Sequence, residues 1–312
     1  MSGSKGEVVK SLVVNTLIAS SKGVAAVITG SGAMLAETLH SFSDCGNQLL
    51  LLRGISQSHK PPDARHPLGY GRNMYFYSFI VALLLFTAGG MFSIYEGVHK
   101  MGEDEEVGDI TVALIILGIS LALEGWSTLG NIKEMNKRRG STPFFTYLKD
   151  SKDSDLIVVF GENSAAVLGL LFAGFAILLA KLTHDSRWDA AGSIAVGVVL
   201  VGVAVFLGRE VKGLLVGEAA DPKLVDTVGE IANASPQVEK VVQVLSMQQG
   251  PGEILVAMKL KFKSGLDSDT LVDAINDFER ELRTKIPEAK WCFIEPDREL
   301  AKDDVGAHGA VA

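Results

Sequence analysis

Cysteine is nearly absent. The 312-residue chain has two, Cys45 and Cys292, far apart and in no CxxC pair, which excludes a disulfide framework and a thiolate zinc knuckle. Enzyme signatures are missing as well: there is no HExxH helix and no serine or cysteine nucleophile arrangement. Basic residues are in deficit, 29 Lys and Arg against 37 Asp and Glu for a net charge of −8, with a pI near 5.3. That balance argues against a nucleic-acid partner. No cleavable leader is recognisable. The opening MSGSKGEVVK is polar and enters an apolar run without a small-residue cleavage site, so the N-terminus reads as mature. What the chain has in excess is apolar residues, 47% of the total, and a mean hydropathy of +0.27. These values fit an integral membrane protein that carries a soluble part.

Six apolar segments are long enough to cross a bilayer, which takes about 20 residues. They are Val8–Ile28, Ser31–Ile55, Tyr75–Val98, Ile110–Ile132, Leu156–Leu182 and Ala190–Gly213. The turn Gly30-Ser31-Gly32 makes the first two an antiparallel hairpin. The loop after the second span holds Arg53, Lys60, Arg65 and Arg72. The loop after the fourth holds Lys133, Lys137, Arg138, Arg139, Lys149 and Lys152. The opposite loops are poor in base, and one carries Glu103, Asp104, Glu105 and Glu106. Positive charge on the even-numbered loops predicts that both termini are cytoplasmic. Spans three and six carry many glycines (Gly89, Gly90, Gly97; Gly192, Gly197, Gly202, Gly208), which predicts close helix packing.

Beyond residue 218 the chain changes character. Asp221–Ala234 has helical periodicity, Val238–Leu245 and Ile254–Phe262 read as strands around a turn, Ser268–Ile286 begins with a helix cap, and Trp291–Ile294 is a last strand. The expectation is a transmembrane all-α domain at 8–213, a small α+β domain at 218–297, and a disordered tail at 298–312.

The chemistry lies inside the spans. His40 and Asp44 stand four residues apart on one helix face, with Glu37 on roughly the same side. Ionisable groups in hydrocarbon are costly and are rarely there without a task. Glu162 and Asn163 lie in span five, Glu124 in span four, and Asn15 and Lys22 in span one, where Lys22 is near enough to a helix end to snorkel. Counting residues at ~1.5 Å rise puts His40 about 14 Å below the outer end of its span and Glu162 about 9 Å above the inner end of its own. The two therefore sit at similar depth. An imidazole with carboxylates suits a divalent transition metal. Each ligand must lose its proton to bind, so metal and proton compete for the same atoms. Glu124 has a further option in pairing with Lys22 or a backbone group, and Cys45 reads as packing.

These residues carry a resemblance. The run GSGAMLAETLHSFSDCGNQ at 30–48, RHPLGYGR at 65–72, DAAGSIAVG at 189–197 and the α+β tail together resemble the cation diffusion facilitator family over residues 8–297. The GYG loop and the GENSAAVLG fifth span resemble its ZnT9-like branch. The resemblance implies a six-helix transmembrane domain with a cytoplasmic ferredoxin-like domain. It implies a homodimer, no enzymatic activity and no cofactor. Zinc (or manganese, iron or cobalt) would be the transported substrate, exported from the cytoplasm in exchange for protons. It also implies a site between spans two and five, with His40 and Asp44 from span two. On span five the family's His-x-x-x-Asp falls on Glu162 and Ala166. One ligand changes type and one is missing, and a water, Glu124, or Asn163 after a register shift are the candidates to replace it. His66 resembles a loop position that helps an interfacial metal site in some members. With Tyr70 where a second histidine often stands, a structural or gating role is expected. The soluble part has no histidine before His308, so a binuclear zinc site there is not expected. Cys292, Glu295 and Asp297 read as a satisfied strand end. Two other readings use the same intramembrane ligands, a membrane metalloenzyme and a metal sensor. The expected location is a prokaryotic plasma (inner) membrane.

Overall fold

The computed structural model describes residues 2–102, 110–150 and 154–298. The expected disordered tail lies outside the described residues from 299 onward. The chain forms two compact units, one from residues 1–58 and 73–213 and one from 59–72 and 214–312.

The first unit is helical: α1 (Ser2–Thr29), α2 (Gly32–Ser58), α3 (Asn73–Leu84), a π-helical segment (Leu85–Met91), α4 (Phe92–Lys100), α5 (Thr111–Arg139), α6 (Phe144–Asp150), α7 (Ser154–Thr183) and α8 (Arg187–Val216). The span predicted at 75–98 is a helix interrupted by the π-helical turns. Extra residues of this kind widen the hydrogen-bond ladder and often mark functional sites. Residues 133–152, read as a loop, hold the end of α5 and the short α6.

Among the described residues, four stretches are long and apolar enough to span a membrane: Asn73–Lys100, Thr111–Lys137, Val159–Thr183 and Arg187–Val216. At 28 and 27 residues α1 and α2 have the length, but their polar residues dilute the hydropathy. Apolar side chains face outward from the bundle, Val27 at 87% and Trp126 at 83% exposure. In water such a surface would aggregate, whereas in lipid it is solvated.

Helix α1 stops at Gly30, whose positive φ of 64° suits glycine. Helix α2 begins under a cap from α8. The Asp189 carboxylate accepts from Ser31 Oγ and from the Gly32 N–H, each at 2.6 Å. Lys100 donates to the Gly30 carbonyl. Helix α2 then packs against α1, α3 and α7, and α5 against α7 and α1.

The second unit holds α9 (Lys223–Ala234), β1 (Val238–Gly250), β2 (Glu253–Phe262), α10 (Ser268–Lys285) and β3 (Ala289–Pro296). Among the described residues its sheet has three strands in the order β1-β2-β3, antiparallel then parallel. Strand β2 alternates as a half-covered strand should, burying Ile254, Val256, Met258 and Leu260 against Leu224, Val228 and Ile231 of α9 and Phe278 and Leu282 of α10. Loop 59–72 joins this unit. Gly71 meets Gly250 so closely that a Cβ on Gly250 would stand 2.7 Å from the Gly71 Cα.

Candidate metal centre

Five α2 residues share one helix face, Glu37–Ser41 and His40–Asp44 lying four apart and Asp44–Asn47 three apart, because 3.6 residues complete a turn. Glu37, His40 and Asn47 are completely buried. His40 Nδ1 lies 3.6 Å from Asp44 Oδ1, and neither ring nitrogen of His40 has a hydrogen-bond partner. An imidazole held inside a helix bundle with both nitrogens unanswered is costly. Its nitrogens are available to a ligand.

Helix α7 faces this run in antiparallel fashion. Asn47 Nδ2 donates to Glu162 Oε1 at 2.9 Å. Ten residues back along α2, the Glu37 Oε1 atom lies against Gly169 of α7. These two contacts put Ala166 at the level of the His40–Asp44 turn, where it is buried and offers no donor atom. Asp44 is within electrostatic reach of both Glu162 and Glu124. The half-buried Glu124 projects from α5, whose Thr128 hydroxyl donates to its backbone carbonyl at 2.8 Å. His40, Asp44 and Glu162 thus lie on one seam, with Glu124 at its edge. In this conformation no group of three or more His, Cys, Asp or Glu among the described residues is drawn together closely enough to hold a metal.

Asn163 points elsewhere, since its amide donates to Ser127 Oγ of α5 at 2.9 Å. The Cys45 thiol accepts from the Thr16 hydroxyl at 3.6 Å, in keeping with packing between α1 and α2.

Lys22 differs from expectation. It does not snorkel: it is fully buried, and its ammonium donates to Glu37 Oε2 at 3.1 Å and Ser41 Oγ at 2.8 Å. Glu37 takes it in place of Glu124. Sequence reasoning also passed over Asn47, which orients Glu162. Its signal was present, because it stands three residues after Asp44 on the face already singled out.

In the second unit, His66 is exposed and sits in a turn built on Asp63. Its backbone N–H donates to Asp63 Oδ1 at 2.7 Å, Tyr70 donates to Asp63 Oδ2 at 2.6 Å, and the His66 and Tyr70 rings lie 4.2 Å apart. The Tyr70 hydroxyl and then the His66 N–H hold the Asp63 carboxyl below its ordinary range. At the end of β3, Lys259 satisfies the acids, 3.0 Å from Asp297 and 3.5 Å from Glu295. Burial pushes the Cys292 thiol up to about 11, so it is no thiolate ligand at neutral pH.

Apolar helices of membrane length around an interior of carboxylates and an imidazole, followed by a small α+β unit, define a membrane protein that handles cations. The family profile described as the cation efflux transmembrane domain matches residues 8–216. The chain belongs to this cation efflux, or cation diffusion facilitator, family and to its ZnT9-like branch. The matched domain is one of cation efflux, which weighs against the metalloenzyme reading of its ligands.

The chain is similar to the mitochondrial proton-coupled zinc antiporter SLC30A9 of Xenopus laevis, 34% identical over 86% of this chain and 47% of that protein. It is similar to metal tolerance protein C4 of Arabidopsis thaliana, 31% identical over 77% of this chain and 51% of that protein. It is similar to the manganese efflux system protein MneP of Bacillus subtilis, 22% identical over 88% of each. The chain spans about half the length of the first two.

Proposed function

We propose that the protein exports a divalent transition metal, with zinc as its principal substrate, in exchange for protons. His40, Asp44 and Glu162 are its ligands, and Glu124 is the candidate for the missing fourth place. The observation that carries this is His40, buried and with both nitrogens unpartnered, beside Asp44 and one helix from Glu162. An imidazole with carboxylates binds zinc well and leaves room for manganese, in line with relatives named for each metal. Metal entering from the cytoplasmic side displaces protons from these groups. Rocking of the helices exposes the loaded seam outward, and protons return as metal leaves.

The wider assignment is part of the same proposal. Helices α1 and α2 are the first two of six spans. At about 1.5 Å per residue each exceeds the ~30 Å hydrocarbon core. The transmembrane domain is residues 8–213 and the soluble domain 218–297. The soluble domain has a ferredoxin-like arrangement, of which α9-β1-β2-α10-β3 supplies the last five elements. The α1–α2 turn is on the outer side, and both termini share the cytoplasmic side of a prokaryotic plasma membrane. The protein works as a homodimer. Leu245 and Phe293 stand exposed on the sheet face away from the helices, and a unit this small gains from a partner.

The test is flux in proteoliposomes loaded with zinc- and pH-sensitive dyes. Wild-type protein moves zinc one way and protons the other, and His40→Ala abolishes both. Zinc transport with no accompanying proton movement is incompatible with the mechanism. Competition by manganese in the same vesicles sets the metal order. Only a transporter moves ions across a sealed bilayer, so the assay also rejects the sensor reading.

A further inference from the structure

The seam contains a charged pair that the proposed ligand set does not use. Lys22 of α1 and Glu37 of α2 are both fully buried. The ammonium holds Glu37 Oε2 at 3.1 Å and Ser41 Oγ at 2.8 Å. The other carboxylate oxygen, Oε1, is buried with no hydrogen-bond partner. It lies against the backbone of Gly169 on α7, where any Cβ would collide with it. One side chain thus touches two neighbouring helices, α1 through an ion pair and α7 through bare backbone. Glu37 precedes His40 by three residues, about 4.5 Å along the axis toward the α1–α2 turn. On the other side of Asp44, Asn47 joins α2 to Glu162 of α7.

We propose that Lys22 and Glu37 form the outer gate of the transport seam. The pair draws α1, α2 and α7 together on the outer side of His40 and Asp44, and it separates when the ion leaves outward. This rests on the reading of His40, Asp44 and Glu162 as the transport site and of the α1–α2 turn as the outer end. A buried ion pair does not part unaided, because each separated charge is left without solvent. A divalent cation in the seam supplies the cause. It repels the ammonium and attracts Glu37, whose unpartnered oxygen lies one helical turn from His40. Loading therefore weakens the pair from both sides, and departure of the ion lets it re-form. An ion pair serving only to hold α1 against α2 gives no reason for a carboxylate oxygen left unanswered against a third helix. A gate that the cargo must engage does.

The experiment measures two quantities on the full-length protein: zinc flux from vesicles with no proton gradient and no proton counterflow, and zinc binding in nanodiscs. Lys22→Met and Glu37→Gln each raise the uncoupled flux about fivefold or more while still binding zinc. Gly169→Ala keeps both charged residues but displaces the carboxylate, and it raises the same leak. Lys22→Arg keeps the charge and stays near wild type. Exchanging the pair (Lys22→Glu with Glu37→Lys) lowers the leak below either single variant. The gate is refuted if the single variants bind zinc but leak no more than wild type. It is equally refuted if they lose zinc binding while Gly169→Ala behaves as wild type, because the pair is then part of the binding site or of the scaffold. Unaltered zinc binding by His40→Ala overturns the underlying site instead, so the two failures are distinguishable.

Discussion

Two seams of the same helix bundle are built on opposite terms. Where α8 meets the π-helical segment and α4, glycines remove the side chains. A Cβ on Gly197 would stand 2.7 Å from the Gly90 carbonyl oxygen, one on Gly90 2.6 Å from Val201 Cγ2, and one on Gly97 2.7 Å from the Ala190 carbonyl oxygen. Ser93, buried beside them, donates to the Gly89 carbonyl at 2.7 Å. This seam is close-packed and its buried hydroxyl is satisfied, as small-residue packing in lipid should be. The seam between α2 and α7 leaves Glu37 Oε1, both His40 nitrogens, Asp44 Oδ1 and Asn47 Oδ1 without hydrogen bonds. Interiors rarely tolerate such a concentration of unanswered polar atoms. The first seam is complete in itself, and under the proposed mechanism the second is completed by its cargo.

The sharpest way to break this comparison is His40→Leu. An apolar side chain of similar size removes the ligand and also the unanswered nitrogens, so metal transport falls by about two orders of magnitude or more while the thermal midpoint holds or rises. A midpoint that falls with the flux would show the imidazole to be structural, and the contrast between the seams would fail. Gly197→Val is the mirror experiment. It forces side-chain atoms into the Gly90 and Ile94 backbone, so it lowers stability by about 1–3 kcal/mol and reduces yield. Zinc affinity in the protein that still folds stays near wild type. Asn47→Leu falls between these two. It frees Glu162 from its orienting amide, and loss of such outer partners typically costs about tenfold or more in metal affinity or rate. An effect on the midpoint alone would make Asn47 a packing residue.

Much of the fold could be read from residue order. The boundaries expected for spans five and six, 156–182 and 190–213, sit inside α7 and α8, because apolar length is a local property. The second unit was legible for a similar reason. Its strands alternate, and Asp267 marks a helix start. His40, Asp44 and Glu162 stood out because ionisable residues within apolar runs are conspicuous by themselves. What stayed hidden depends on neighbours. Lys22 lies near enough to a helix end that snorkelling was the natural reading, and only the presence of Glu37 and Ser41 across the hairpin keeps it inside. Asn47 could be placed on the ligand face by its spacing, but its hydrogen bond to Glu162 depends on how α7 packs against α2. The π-helical turns at 85–91 arise where Gly89 and Gly90 come against α8, a tertiary fit that periodicity does not encode. The same holds for loop 59–72, whose tie to the β1–β2 turn depends on two glycines distant in sequence.

The smallest expected effect tests whether the second unit stands apart from this contrast. Asp267 caps α10, its carboxylate accepting from the Thr270 N–H at 2.7 Å. That N–H, and then the Thr270 hydroxyl, hold the Asp267 carboxyl below its ordinary range. A depressed carboxyl contributes stability that is fully present above its unfolded-state value and is lost as pH falls through its folded value. Hydrogen exchange in the first turn of α10 should therefore stay slow through neutral pH and quicken only once the pH drops below the usual carboxylate range. Asp267→Ala speeds exchange there at neutral pH, because Thr270 loses its acceptor. Asp267→Asn keeps the acceptor and removes the acid dependence. Neither substitution alters zinc flux if completion by metal is confined to the α2–α7 seam. A change in flux from either one would tie the second unit's helix cap to transport and make the cargo's reach longer than one seam.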